Sequence, residues 1–144
     1  MRLATPFLRL LAAPLIAVSA LAAAADEVEV LIDLSDQQMT VWRFEELAAV
    51  WPVSTARAGK CTPTGTFRPQ LLKRMHYSTL YDWAPMPFSI FFSGNYAIHG
   101  TTQVDRLGEP ASAGCVRLHP DNAEALFGWV QEAGKAETVI VIRE

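Results

Sequence analysis

Apolar and polar residues alternate with a two-residue period along much of this chain, beginning just after a charge-free N-terminal stretch. Val28-Glu29-Val30-Leu31-Ile32-Asp33-Leu34 and Met39-Thr40-Val41-Trp42-Arg43-Phe44 flank the polar segment Ser35-Asp36-Gln37-Gln38, a pattern that predicts an antiparallel hairpin. Further β-leaning runs are Ala49 to Ser54, Gly65 to Arg68, Phe88 to Phe92, Tyr96 to His99 and Thr138 to Ile142, separated by Gly, Pro and Ser. The period changes once. Leu126, Phe127 and Val130 share one helical face, Asp121 offers an N-cap with Glu124 three residues on in the manner of a capping box, and Gly134 supplies a stop. The expectation is a mainly β domain with a helix packed on its sheet, in which Phe127 and Trp129 serve packing.

Composition changes the picture at the N-terminus. Hydrophobic residues make up 51% of the 144, but much of that fraction sits in the first 25 residues. Arg2 and Arg9 precede an uncharged Ala- and Leu-rich run from Leu10 to Ala25, shorter than the roughly 20 residues that a membrane span needs. The run ends in Ala23-Ala24-Ala25 before Asp26, which fits a cleavage site of small residues. Residues 1–25 therefore read as a secretory signal peptide and residues 26–144 as one exported domain, periplasmic or associated with the cell wall, with no stable membrane insertion after cleavage. An uncleaved anchor is the competing reading. Intact mass from the envelope fraction separates them: a chain starting near Asp26 is expected, and a full-length mass in the membrane fraction would contradict it.

The formal net charge is −3, with 12 Lys+Arg against 15 Asp+Glu, and loss of Arg2 and Arg9 with the leader makes the remainder more acidic. That balance excludes a nucleic-acid footprint. No repeat or low-complexity linker marks a second domain. The two cysteines, Cys61 and Cys115, fall in the exported part, where a disulfide is the first hypothesis to test. His76 and His119 show no ligand spacing with either cysteine or another histidine, so neither a metal nor any other cofactor is expected.

Candidate chemistry concentrates in Ala97-Ile98-His99-Gly100-Thr101 and Ala111-Ser112-Ala113-Gly114-Cys115-Val116-Arg117-Leu118. A cysteine at its free pKa holds little thiolate at neutral pH and needs a base beside it, for which His99 is the natural candidate. Gly114 would let the backbone turn sharply before Cys115, neighbouring amides could face a developing oxyanion, and Ser112 could brace the turn. Judged on residue types alone, a small buried cysteine and an ordinary strand-end histidine are the better reading.

The wording of the whole segment, His99-Gly100 followed by Ser112-Ala113-Gly114-Cys115-Val116-Arg117-Leu118, resembles the signature of the YkuD-type L,D-transpeptidases. The resemblance extends to Asp33-Leu34-Ser35, Pro52-Val53-Ser54-Thr55, Thr62-Pro63-Thr64-Gly65-Thr66-Phe67 and Met86-Pro87-Phe88, and covers nearly all of residues 26–144. It implies a single compact β-sandwich-like catalytic domain with one or two short helices. It further implies Cys115 as nucleophile, His99 as base, the Gly100 carbonyl as orienting group for the imidazole, and the amides of Gly114 and Cys115 as oxyanion donors. Ser112 falls on the loop and Arg117 on the arginine of the motif; Ala113 departs from members with His or Asn there.

Arg117 retains two readings, a hold on a substrate carboxylate or, slightly favoured, a brace of the cysteine loop through a protein carboxylate. Arg106 is expected to be a solvated loop charge, Tyr81 and Trp83 to pack rather than to cover the cleft, and Cys61 to be a bystander or a disulfide candidate. The implied reaction is attack on a peptidoglycan stem peptide and transfer of the acyl group to an amine, giving a 3-3 crosslink or an anchored envelope protein. An L,D-carboxypeptidase and a non-catalytic wall-binding module are the alternatives.

Overall fold

The computed structural model describes residues 25–144, so the expected leader lies outside the described residues except for Ala25. Nine strands and one long helix follow in the order β1 (Val28–Asp33), β2 (Gln38–Arg43), β3 (Glu46–Pro52), β4 (Gly65–Phe67), β5 (Leu71–Ser78), β6 (Ala84–Ser93), β7 (Tyr96–Gly100), β8 (Val116–Leu118), α1 (Pro120–Ala133) and β9 (Thr138–Arg143). They build a five-stranded sheet ordered β3-β2-β1-β9-β4 and a four-stranded sheet ordered β5-β6-β7-β8. Among the described residues no helix is long and apolar enough to cross a membrane.

The expected hairpin is β1 and β2, paired antiparallel from Val28↔Arg43 to Asp33↔Gln38. Its turn is held by Asp33, whose Oδ1 accepts from Ser35 Oγ at 2.7 Å and from the Asp36 N–H at 3.1 Å. Strict alternation decides which face is inner: Val28, Val30 and Ile32 of β1 and Thr138, Ile140 and Ile142 of β9 are buried while their neighbours are partly exposed. Those two strands, the first and last of the domain, lie side by side in parallel. Leu126, Phe127 and Val130 of α1 join Ile90 and Phe92 of β6 and Ile98 of β7 in one core, each full burial contributing roughly 1.5–3 kcal/mol. Phe127 is buried in that core, and Trp129 stacks on Trp51 with ring centroids 5.7 Å apart.

Two expectations need correcting. The helix starts earlier than Asp121: His119 is the N-cap, its Nδ1 accepting from the Asp121 N–H at 3.2 Å, with Pro120 in the first turn. Proline's fixed φ and missing N–H suit the first helical position, which leaves Asp121 inside the helix and Glu124 too far on to close a capping box. Gly134 does end the helix, at φ +93° with its N–H on Val130 O. The second difference is the long β5–β6 pair, of which only Phe88 to Phe92 was expected. Pro85 and Pro87 argue against a strand, yet they lie in the part of β6 that pairs with β5 alone, before β7 joins at Ile90. A proline there loses no ladder bond on its open side.

Candidate active site

β7 and β8 run parallel with Ile98 opposite Val116, His99 opposite Arg117 and Gly100 opposite Leu118. Ile98, Val116 and Leu118 are buried in the core. Alternation therefore turns His99 and Arg117 to the opposite face, and Cys115, two residues before Arg117, shares that face. All three line one cavity of about 940 Å³.

The loop before Cys115 is held from several directions. Ser112 Oγ donates to the Cys115 carbonyl at 2.6 Å and accepts the Gly114 N–H at 3.0 Å, bracing the turn as its place in the sequence implies. Because that N–H is engaged, Gly114 does not offer its amide to an oxyanion, which corrects the expectation for it and leaves the amide of Cys115 as the remaining candidate donor. Gly114 sits at φ +140°, and a Cβ there would lie 2.5 Å from Tyr96 Cε1 and 2.8 Å from the Cys61 carbonyl oxygen. Thr62 Oγ1 donates to the Gly114 carbonyl at 2.8 Å. Further out, the Thr55 carbonyl accepts from the Ala111 and Ser112 N–H groups, and buried Gln37 clasps Thr55, accepting its N–H at 2.9 Å and donating to its Oγ1 at 2.6 Å. Gln37, Thr62 and Tyr96 thus position the cysteine loop, and none of them stood out in the sequence as a site residue.

His99 is 6% exposed, and its Nδ1 lies 2.7 Å from the Gly100 carbonyl. A carbonyl only accepts, so Nδ1 carries the proton and Nε2 keeps a free lone pair for the cleft. Burial pushes the imidazole down from 6.5 to about 4; the Gly100 carbonyl opposes that fall, and the positive charge of Arg117 adds to it. Burial likewise pushes the Cys115 thiol up, against smaller opposing effects of the Ala97 backbone and Arg117. Both groups are therefore neutral at neutral pH, and the Cys115 thiol donates to the Asn95 carbonyl at 3.7 Å.

The imidazole's shift carries a stability prediction. The unfolded chain binds this proton between pH 6.5 and about 4 while the folded chain does not. The contribution of neutral His99 is therefore complete above pH 6.5 and is lost as pH falls through that window, on the order of 3 kcal/mol at its acid end. Unfolding midpoints at pH 7 and pH 4.5 check this: the wild-type drop should exceed that of His99→Gln.

The remaining residues fall as follows. Arg117 meets no carboxylate among the described residues; its Nη1 donates to Gln103 Oε1 at 3.0 Å, which corrects the favoured brace by a carboxylate. Its main chain does brace the site, exchanging hydrogen bonds with Ser54. Arg106 pairs with Glu109 on the exposed loop. Tyr81 and Trp83, expected to pack, are 50% and 68% exposed at the β5–β6 turn, where Asp82 and Trp83 take positive φ; Tyr81 reaches the cavity wall. His76 also lines the cavity, edge-on to Phe91. Both cysteines are free thiols, Cys61 exposed and Cys115 half-buried.

A thiol just before β8 and an oriented imidazole on the neighbouring β7 thus line one cavity of a mainly β domain. The family model of the L,D-transpeptidase catalytic domain, YkuD, matches residues 27–142, and the chain belongs to that family. Among solved structures it is similar to an L,D-transpeptidase from Mycobacterium smegmatis (22% identity, TM-score 0.71, covering 83% of this chain and 59% of that one). It is also similar to an L,D-transpeptidase from Stackebrandtia nassauensis (24%, 0.71, 90% and 62%) and to the L,D-transpeptidase LdtMt1 solved in complex with imipenem (21%, 0.70, 82% and 59%). The chain thus spans about three fifths of the length of these structures. No curated protein matches it.

Proposed function

We propose that this chain is an exported peptidoglycan L,D-transpeptidase with Cys115 as nucleophile and His99 as its base. The observation that carries the reading is the lock of His99 Nδ1 on the Gly100 carbonyl, which aims the basic Nε2 into the cavity that Cys115 lines. When donor peptide excludes water from the cleft, Nε2 takes the thiol proton and Sγ attacks the carbonyl carbon after the third residue of a tetrapeptide stem. The C–N bond breaks, the imidazolium returns the proton to the leaving amine of the terminal D-amino acid, and a thioester remains on Cys115. The Cys115 amide donates to the oxyanion as it forms. An amine then attacks the thioester, from the diamino acid of a second stem or from a lysine of an envelope protein.

Mass spectrometry of tetrapeptide muropeptides after incubation with residues 26–144 tests this. Crosslinked dimers are expected. Tripeptides alone would replace the transferase with an L,D-carboxypeptidase built on the same pair, and unchanged tetrapeptide would remove the catalytic reading.

Cys61 has no part in this chemistry. It is exposed, its Sγ meets only the Thr62 carbonyl, at 3.5 Å, and it does not line the cavity. Cys61→Ser should retain activity within about two-fold, the range of an ordinary surface substitution. Turnover with and without a mild reductant, beside thiol counting on the unfolded chain, checks this: two free thiols and no activation are expected, while strong activation would make Cys61 a redox partner of Cys115.

A further inference from the structure

The cleft is charged in a way that acyl transfer by itself does not require. Its walls carry Arg57, Lys73 and Arg117, and no Asp or Glu stands among the described residues that line it, although the chain as a whole is acidic. Arg57 and Arg117 sit on the side of the cysteine loop. The Arg57 N–H donates to the Ser112 carbonyl at 2.9 Å, and the bridges Ala56↔Ser112 and Ser54↔Arg117 lay the 54–57 segment along the loop. Arg43, Arg68, Arg106 and Arg143 each pair with a carboxylate, and Arg74, outside the cleft, lies over the Phe127 ring. Arg57 and Arg117 pair with none among the described residues, and the half-buried Arg117 spends one N–H on Gln103. Burial disfavours the cationic form of Arg117, and the charges of Arg57 and Arg106 add to that effect.

Strand geometry fixes what such an anion would be. Arg117 lies one strand spacing, roughly 4.8 Å, from His99 and two residues, about 6.6 Å, from Cys115. In a peptide whose scissile bond precedes its last residue, the terminal carboxylate lies within one residue length, about 3.8 Å, of the amide being broken. A planar guanidinium matches a carboxylate in a two-pronged hydrogen bond.

We propose that Arg57 and Arg117 form a carboxylate subsite that holds the free C-terminal carboxylate of the departing amino acid, making Arg57 a specificity-determining residue for donors cleaved one residue from their end. The assignment rests on the acyl-donor reading of this cleft. It explains why cations gather where the leaving group must sit. A donor extended or capped at its C-terminus would leave both guanidinium groups against a neutral amide, and a site built for a charge rejects its absence strongly.

The test compares a tetrapeptide donor with a free C-terminus and the same peptide as its C-terminal carboxamide. Arg57→Gln is the informative variant, because Arg57 is exposed and its structural hydrogen bond uses the main chain. It should lower kcat/KM for the acid by about ten-fold and leave the amide unchanged, whereas Lys73→Gln, two strands away from β7 on β5, should leave the acid-to-amide ratio within about two-fold. Equal loss on both donors, or no loss on either, overturns the subsite.

A second measurement needs no peptide turnover: alkylation of Cys115 by iodoacetate relative to iodoacetamide, two reagents that differ in the carboxylate. The ratio should fall about five-fold in Arg57→Gln, as expected when a charge near the reacting atom is removed, and an unchanged ratio overturns the proposal. A wild-type enzyme that favours iodoacetate in this way yet turns over neither peptide would sink the peptidoglycan reading and leave the subsite standing.

Discussion

Cys115→Ala should abolish turnover of tetrapeptide donors, and His99→Ala should lower it by about 10³-fold or more, with the double variant no worse than Cys115→Ala alone. The reason is that in the proposed mechanism thiol and imidazole act as one unit. Burial disfavours the thiolate, and in the proposed mechanism the Nε2 of His99 is the base that takes the thiol proton. His99→Gln is the more telling variant, since an amide can keep a hydrogen bond to the Gly100 carbonyl without acting as a base. Turnover and the unfolding midpoint of each variant are the measurements. Activity within ten-fold of wild type in His99→Gln, with the fold intact, would mean that another base serves Cys115.

Gly114→Ala carries the second large effect, although it adds a single methyl group outside the reacting pair. Its Cβ would overlap the Tyr96 ring and the Cys61 carbonyl, and φ +140° is a conformation that residues with a side chain rarely adopt. The loop must move, and with it the hydrogen bonds that Ser112 makes to Gly114 and Cys115. A displacement of about 1 Å at the nucleophile is enough to lower kcat by roughly 10²-fold, and the backbone strain costs about 1–3 kcal/mol of stability. Combining it with Tyr96→Val should recover only part of the loss, because the carbonyl of Cys61 is main chain and stays in the way. Full recovery in the double variant would place the whole obstruction in the Tyr96 ring.

The candidate site was legible because the motif carries it locally: Ser112, Gly114 and Cys115 lie within one turn, and His99 is followed directly by the carbonyl that its ring meets. The β1–β2 hairpin was legible for a similar reason, since its alternation is unbroken and its turn is stabilised by the neighbouring Asp33. What holds the site was hidden. Gln37 meets Thr55, and Thr62 meets Gly114, across 18 and 52 positions of sequence. No spacing rule relates such partners. The strand β5 was missed because Lys73-Arg74 interrupts its alternation on an edge strand with an exposed face. The helix start was misplaced by the attraction of an Asp for the N-cap, where a histidine ring nitrogen serves instead. The Gly114 amide looked available because the acceptor that takes it, Ser112 Oγ, is a side chain free to turn either way in a sequence.

The central claim is that Cys115 becomes an acyl thioester of the stem peptide after losing one D-amino acid. Rapid acid quench of residues 26–144 with a synthetic tetrapeptide donor, followed by intact-mass and peptide-mapping mass spectrometry, tests it most directly. The predicted result is a transient mass increase equal to the donor less its C-terminal amino acid, carried by the peptide containing Cys115 and absent from Cys115→Ser. Turnover of the donor with no adduct on Cys115, or an adduct mapped to Cys61, would contradict the account.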